Sequence, residues 1–280
     1  MAGVRTLLSF VKFEHTLFSL PVIVAGAVLA SGGVPEGAVL AWVLVAGTGA
    51  RTVAMALNRL IDREIDARNP RTASREIPAG RMSTLGGWGV AIAGLVLYFG
   101  ALAFLPPLCL ALSPVPLMVF VIYPLMKRFT PLAHFGVGAG LALGPLGAWV
   151  AVTGTLVPWG PAHTLAVFTL LWVAGFDVIY ATLDEDFDRA EGLRSLPASL
   201  GRTRALRAAR GVHVAAFVAL ALVTAPAMPG AGSWFLLAAV GAMLVAEHVL
   251  AARVDLSFFR INAALGFVVL AFVWSILPAG

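Results

Sequence analysis

The sequence predicts an all-α, polytopic membrane protein of nine transmembrane helices, and three observations carry that prediction. The 280 residues are 60% hydrophobic and only 12% charged, whereas soluble domains carry roughly 25% charge, and the mean hydropathy is +0.94. Apolar runs near the 20 or so residues that a helix needs to cross the hydrocarbon core recur nine times. All 19 lysines and arginines fall at or toward one side of those runs, as the excess of basic residues in cytoplasmic loops requires.

The runs cover about residues 15–32, 38–60, 85–105, 107–126, 132–153, 162–183, 206–225, 232–252 and 260–278. The opening MAGVRTLLSFVKFEHTLF has no small-residue cleavage site after a short apolar core, so the first run is expected to stay in the membrane. The third and fourth runs are separated only by Leu105, Pro106 and Pro107, which predicts a tight hairpin. No stretch has the composition of a soluble domain, so residues 1–280 read as one membrane-embedded unit.

Arg5 and Lys12 precede the first run. Arg59, Arg63, Arg68, Arg71, Arg75 and Arg81 fall between the second and third, with Arg51 about two turns inside the second. Lys127 and Arg128 separate the fourth and fifth, Arg189 to Arg210 the sixth and seventh, and Arg253 and Arg260 the last two. The connections SGGVPEG, LPP, TGTLVPWGPAH and APAMPGAGS hold no basic residue. The expected topology is therefore an N-terminus in the cytoplasm and a C-terminus outside. The net charge of +5 follows from these loops, so the basic balance points to membrane lipid rather than nucleic acid. Nothing calls for an obligate protein partner. A single cysteine, Cys109, rules out a disulfide framework.

Against this background two acidic stretches stand out. Of only 14 acidic residues, four lie between Asn58 and Gly80. Asn58, Asp62 and Asp66 are four apart, a spacing that stacks three oxygen-bearing side chains on one helix face, and Arg71 and Arg75 follow. The sixth run ends FDVIYATLDEDFDRAEGLRSLP. On a continuing helix Asp177, Tyr180, Asp184 and Asp188 share a face, and Asp186 points elsewhere. Asp177 lies within an apolar span, where an ionisable group is costly and marks function. Each stretch closes a run on the cytoplasmic side, four runs apart, which suggests two four-helix units with a ninth helix added. A Gly-rich run from Gly136 to Gly147 permits close helix packing. Glu247 and His248, near the end of the eighth run, are expected to form a hydrogen-bonded pair between helices.

Hard carboxylate oxygens suit Mg2+, which commonly sits between one or two carboxylates and substrate phosphates. Two such clusters facing each other would hold Mg2+ against a diphosphate, with Arg71, Arg75, Lys127, Arg128 and Arg194 balancing the remaining charge. A diphosphate at the membrane face with its tail in the bilayer describes a polyprenyl diphosphate. Its ionisation leaves an allylic cation that an electron-rich acceptor attacks, the leaving group being stabilised by metal and cations.

The pattern N-x-x-x-D-x-x-x-D from Asn58 to Asp66, followed by R-T-x-x-R-x-I-P-x-G from Arg71 to Gly80, resembles the first motif of the UbiA family of intramembrane prenyltransferases. D-x-x-Y-A-x-x-D-x-x-x-D from Asp177 to Asp188, with G-x-R-S from Gly192 to Ser195, resembles its second. YPLMKRFTP, from Tyr123 to Pro131, resembles the family's short basic loop. The likeness is greatest to the 4-hydroxybenzoate polyprenyltransferase branch, and the opening VKFEHTLFSLP resembles a bacterial subgroup assigned to menaquinone synthesis.

This resemblance implies nine helices around a central cavity in a bacterial cytoplasmic membrane, with the site open to the cytoplasm. It also implies Mg2+ dependence and transfer of a prenyl group from a polyprenyl diphosphate to an aromatic acid acceptor. Asn58, Asp62, Asp66, Asp184 and Asp188 would hold metal and diphosphate, with Asp177 beside them at the cavity floor. Arg51 and Tyr123 would line the pocket, and Lys127 and Arg75 would bind diphosphate. Asp177 or Asp184 would stand near the acceptor, and Arg51 or Arg128 would hold its carboxylate. One departure is His134, where glutamine is common in the hydroxybenzoate enzymes. A secondary transporter is the rival from another class, but transporters place ionisable groups near the midplane on broken helices, whereas here most lie at one face. Relatives that make lipid ethers, haem O or chlorophyll differ only in the acceptor.

Overall fold

The structure is a computed structural model and describes residues 3–224, 229–252 and 257–277. Arg253, used above for orientation, and the last three residues at the C-terminus lie outside the described residues. Among the described residues there is no strand. Seven helical segments are long and apolar enough to cross a membrane: Gly37–Ile61, Thr84–Leu102, Pro107–Met126, Ala133–Thr153, Pro161–Ala181, Arg202–Leu222 and Ala231–Val249. The first and last expected spans correspond to shorter apolar helices, Thr16–Ser31 and Asn262–Ser275.

In chain order the helices are α1 (Val4–Phe10), α2 (Thr16–Ser31), α3 (Gly37–Ile61), α4 (Arg63–Arg68), α5 (Thr84–Leu102), α6 (Pro107–Leu112), α7 (Pro114–Met126), α8 (Ala133–Thr153), α9 (Pro161–Ala181), α10 (Glu185–Ala190), α11 (Leu196–Leu200), α12 (Arg202–Leu222), α13 (Ala231–Val249) and α14 (Asn262–Ser275). The predicted hairpin between the third and fourth spans is present, but the fourth span is two helices, α6 and α7. Each starts with proline at its first position, where the missing N–H costs no helical bond.

Helix contacts run around the bundle from α2 to α3, α3 to α7, α7 to α8, α8 to α9, α9 to α12, α12 to α13, α13 to α14 and back to α2. Helix α5 packs on α3, and α2 also meets α8 and α9. Two main apolar clusters result. One joins Val22 and Val28 of α2 to Trp172, Leu220, Val240 and Phe272. The other joins Ile23 and Ala27 of the same helix to Val43, Tyr98, Cys109 and Ala148. Outward-facing residues are apolar too: Ile92, Val96, Met118, Ile122, Val218, Phe235, Val245 and Phe267 are all exposed, as a lipid-facing surface requires.

The Gly-rich run does bring helices together. A Cβ on Gly138 would lie 2.3 Å from the Leu170 carbonyl oxygen of α9, so α8 and α9 approach at a distance that only glycine allows. Between α2, α3, α5, α6, α7, α8 and α9 lies a cavity of about 440 Å³. Its wall is apolar for most of its length, and Arg51, Tyr123 and Asp177 supply polar groups at the end nearest the acidic stretches.

Candidate active site

Both acidic stretches interrupt their helices at the first aspartate of the i, i+4 pair, Asp62 and Asp184. Helix α3 ends at Ile61, and Asp62 is at once its C-cap and the N-cap of α4. The amides of Asp62 and Asp66 still bond the carbonyls of Asn58 and Asp62, at 3.0 and 2.8 Å, so the expected four-residue stacking survives the break. In the second stretch the continuing helix assumed from the sequence is not formed. Helix α9 stops at Ala181, and Leu183 and Asp184 turn tightly, their amides bonding the carbonyls three residues back at 3.1 Å. Asp184 then caps α10. Beyond the turn the Asp184 carboxylate meets Asn69 and Arg71 of the first stretch.

The two stretches meet directly. Arg71 forks onto Asp184, with Nε 2.8 Å from Oδ1 and Nη2 against Oδ2. Its Nη1 donates to the Tyr180 hydroxyl at 2.7 Å. Asn69 Nδ2 donates to the same Asp184 Oδ1 at 2.8 Å, and Asn69 Oδ1 accepts from the Arg71 amide at 2.9 Å. Asp66 takes Arg75 Nη1 on both oxygens at 2.7 Å. Asp62 takes Lys127 Nζ at 2.8 Å, with Asn58 Nδ2 at 3.4 Å and Arg128 at 3.7 Å. The Ser195 hydroxyl neighbours Asp188 and favours its charged form. Asp62, Asp66 and Asp188 are all buried.

Charge and burial pull these carboxyls in opposite directions. At Asp62 and Asp188 burial prevails over their cationic and hydroxyl neighbours and pushes the carboxyl above its ordinary value. At Asp184 burial is outweighed by the hydrogen bonds from Arg71 and Asn69, which hold it below that value. Among the described residues no three His, Cys, Asp or Glu side chains converge on one metal position. Each carboxylate of the cluster is instead met by a protein cation or hydroxyl.

The remaining predicted residues divide into two groups. Arg51, Tyr123 and Asp177 line the cavity, the Tyr123 hydroxyl donating to the Ala54 carbonyl at 3.4 Å. Arg128 and Arg194 face backbone: Arg128 Nη2 donates to the Ile61 carbonyl at 3.0 Å and Arg194 Nη1 to the Phe129 carbonyl at 3.0 Å. In this arrangement Arg194 brings no charge to the carboxylates.

Sequence reasoning missed several participants. Asn69 was legible in principle, because Asn-Pro marks a turn in which the Asn side chain bonds the backbone two residues on. Arg59, counted only as a topology signal, is 4% exposed, and its Nε and Nη1 have no hydrogen-bond partner. Glu76 accepts from the Ser9 hydroxyl at 2.6 Å and so ties the arginine-bearing loop to α1. His134, singled out in the sequence only as a departure from the family pattern, bonds Asp177, Nδ1 to Oδ2, at 2.7 Å. Of the expected Glu247–His248 pair, His248 does pair across helices, with His213 at 3.0 Å. The Glu247 oxygens have no hydrogen-bond partner.

Residues 19–276 match the family described as the UbiA prenyltransferase family. Similar proteins include the 4-hydroxybenzoate octaprenyltransferase of Alkalilimnicola ehrlichii, 32% identical over 224 residues that make up 79% of this chain and 74% of that protein. The 4-hydroxybenzoate solanesyltransferase of Synechocystis sp. is 32% identical over 60% of this chain and 56% of that protein. The aligned stretch thus spans little more than half of the second relative's length. The apo structure of a UbiA homolog from Aeropyrum pernix K1 superposes with a TM-score of 0.84 at 35% identity, covering 93% of this chain and 97% of that one. A UbiA homolog from Archaeoglobus fulgidus bound to GPP and Mg2+ shares the fold, with a TM-score of 0.69 at 16% identity over 98% and 100% of the two chains. A helical bundle of this shape, its two aspartate stretches joined over an apolar cavity and a family match over nearly the whole sequence lead to one assignment: the chain belongs to the UbiA prenyltransferase family.

Proposed function

We propose that this protein transfers a polyprenyl group from a polyprenyl diphosphate to a ring carbon of a hydroxylated aromatic acid of the 4-hydroxybenzoate type, a step of quinone biosynthesis. The observation that carries the reading is the contact of Arg71 and Asn69 with Asp184. It sets two aspartate clusters and their cations over one end of an apolar cavity that Arg51 and Asp177 enter. A diphosphate would lie among the charges and its hydrocarbon tail along the cavity. The names of the relatives, 4-hydroxybenzoate octaprenyl- and solanesyltransferases, support the same donor and acceptor classes.

The donor set fits Mg2+. Asp62, Asp66, Asp184 and Asp188 offer hard oxygens, and Asp62 Oδ1 is buried with no hydrogen-bond partner. With Asn58 these residues would hold the ion, which when bound would stabilise charge on the departing diphosphate. Lys127, Arg75 and Arg71, now on carboxylates, would exchange those partners for diphosphate oxygens, and arginine's planar fork suits that exchange. Arg51 lines the cavity, and it or Arg128 would hold the acceptor's carboxylate. Asp177 faces the cavity and would receive the ring proton after carbon–carbon bond formation. Asp184, closed by Arg71, is left to the diphosphate end.

We further read residues 1–280 as one unit of nine spans, two four-helix units and a ninth helix. It would lie in a bacterial cytoplasmic membrane with the N-terminus and the site cytoplasmic and the C-terminus outside. The test is transfer in membranes supplied with Mg2+ and geranyl diphosphate, offering 4-hydroxybenzoate against dihydroxynaphthoates and reading products by mass spectrometry. Prenylated hydroxybenzoate is expected. A prenylated naphthoate alone would place the enzyme in menaquinone synthesis, and no prenylated product would overturn the reading.

A further inference from the structure

Asp177 is held from behind. His134, the second residue of α8, is 4% exposed and is not part of the cavity wall. Its Nδ1 lies 2.7 Å from Asp177 Oδ2, and its Nε2 lies 3.3 Å from the backbone nitrogen of Leu196. An amide N–H only donates, so Nε2 must accept, and the proton of the neutral ring is fixed on Nδ1, aimed at the carboxylate. The backbone of one loop thereby sets the tautomer that grips the cavity aspartate.

That loop is the one that organises the diphosphate end. The Arg194 amide donates to the Lys127 carbonyl at 2.6 Å. The Ser195 hydroxyl neighbours Asp188 and caps α11 by accepting from the Ala198 amide at 3.3 Å. The next residue, Leu196, holds His134. Three consecutive residues thus connect the backbone of Lys127, the side chain of Asp188 and, through one imidazole, the side chain of Asp177.

We infer that His134 is a positioning residue for acceptor prenylation: it fixes the orientation of the Asp177 carboxylate in the cavity and ties that orientation to the 194–196 segment beside Asp188. This rests on the prenyl-transfer reading above. What the position requires is one donor toward Asp177 and one acceptor toward the Leu196 N–H. A glutamine amide supplies both, its NH2 to the carboxylate and its oxygen to the backbone.

The test compares H134Q, H134L and D177N in membranes with Mg2+, geranyl diphosphate and 4-hydroxybenzoate, varying donor and acceptor separately. H134Q is expected within about threefold of wild type. H134L is expected to lose about ten- to a hundredfold in kcat/KM for the acceptor, the range for a lost hydrogen bond to a charged group, while the KM for geranyl diphosphate moves less than about threefold. Adding H134L to D177N is expected to cost little more than D177N alone, because the histidine acts only through the aspartate. H134N, too short to reach both partners, replaces H134L if the latter does not accumulate.

An H134Q loss as large as that of H134L, equal losses on donor and acceptor, or full additivity with D177N would overturn the inference while leaving the functional reading intact. Absence of transfer by the wild type to any hydroxylated aromatic acid would overturn the reading, and this inference with it.

Discussion

Arg71 and Asp184, 113 residues apart in sequence, form the fork that closes the first aspartate stretch onto the second. Nothing else in the two stretches does this with two bonds at once, since Arg68–Glu191 is a single and more exposed contact. The fork also has a second state available: a guanidinium that grips a carboxylate grips a phosphate in the same geometry.

The first prediction follows from that exchange. R71A removes both the fork and a cation proposed to bind the diphosphate, so transfer should fall by about a hundredfold, the scale for losing one preorganised charge-stabilising donor. R71K should recover little, because lysine offers a point charge rather than a fork. Steady-state assays with geranyl diphosphate measure this. R71K at wild-type rate would remove the fork from the mechanism.

The opposite shifts at Asp184 and Asp62 predict opposite pH dependences for the stability of metal-free protein. Asp184 has a folded value below the ordinary one. Its contribution is therefore fully present above the ordinary carboxylate range near about pH 4, and is lost as pH falls through the lower folded value. Asp62 has a folded value above the ordinary one. Here the fold holds the extra proton, so stability declines as pH rises through that raised value. In thermal unfolding with chelator present, D184N should flatten the acid side of the profile, and D62N part of the decline on the higher-pH side. Asp188 shares the direction of Asp62, so D62N/D188N should flatten more of that decline than D62N. Profiles of D184N and D62N that both match wild type would contradict the assignment.

Much of this was legible in the sequence, for a specific reason. Apolar runs and loop charge are properties of consecutive residues, so the spans from Gly37 to Val249 agree with the runs read from composition to within a few residues. The i, i+4 aspartates are also local, and the structure keeps their stacking at Asp62 and Asp66. The helix breaks at Asp62 and Asp184 were not legible, because no glycine or proline marks either one. The pairings were not legible either. Arg71 with Asp184, Lys127 with Asp62 and His134 with Asp177 join residues 113, 65 and 43 apart, and one sequence carries no record of which distant charge meets which. Arg59 shows the reverse error: a basic residue at a helix end reads as a topology signal, yet the fold buries it.

Glu247 supplies a control. It is 2% exposed, with neither oxygen hydrogen-bonded; His213 Nε2 lies 3.8 Å away, and the Trp172 indole N–H is committed to Asn262 Oδ1 at 2.8 Å. The His213 nitrogen already faces the Trp172 carbonyl at 3.2 Å. A carboxyl in that setting costs stability, and it lies apart from the cavity. E247L should therefore raise thermal stability, by about 1 kcal/mol or more on the scale of an unsatisfied buried group, and leave prenyl transfer unchanged. Loss of transfer in well-folded E247L would show that this cluster serves the reaction.

The cavity sets the last prediction. Helix α3 delivers Asp62 at one end of the bundle, α5 begins at that end with Thr84 and crosses to Leu102, and α6 starts at Pro107 on the far side. Cys109, with Leu105, Leu112 and Leu156, therefore lines the cavity at the end away from the charges. Its thiol is small, and the space in front of it is where the tail of a long prenyl chain would reach. C109W fills that space with an indole while leaving the aspartate end untouched. Transfer from geranyl diphosphate should persist within about threefold, because on the proposed reading the first units of the chain would lie near Asp177. Transfer from a long polyprenyl diphosphate should fall by about tenfold or more, since overpacking a tight apolar site costs about 1–3 kcal/mol and each 1.4 kcal/mol is tenfold. The ratio of the two rates is the measurement, and it is insensitive to how much protein folds. An unchanged ratio would mean that the chain leaves the bundle by another path, between helices into the bilayer, before it reaches Cys109.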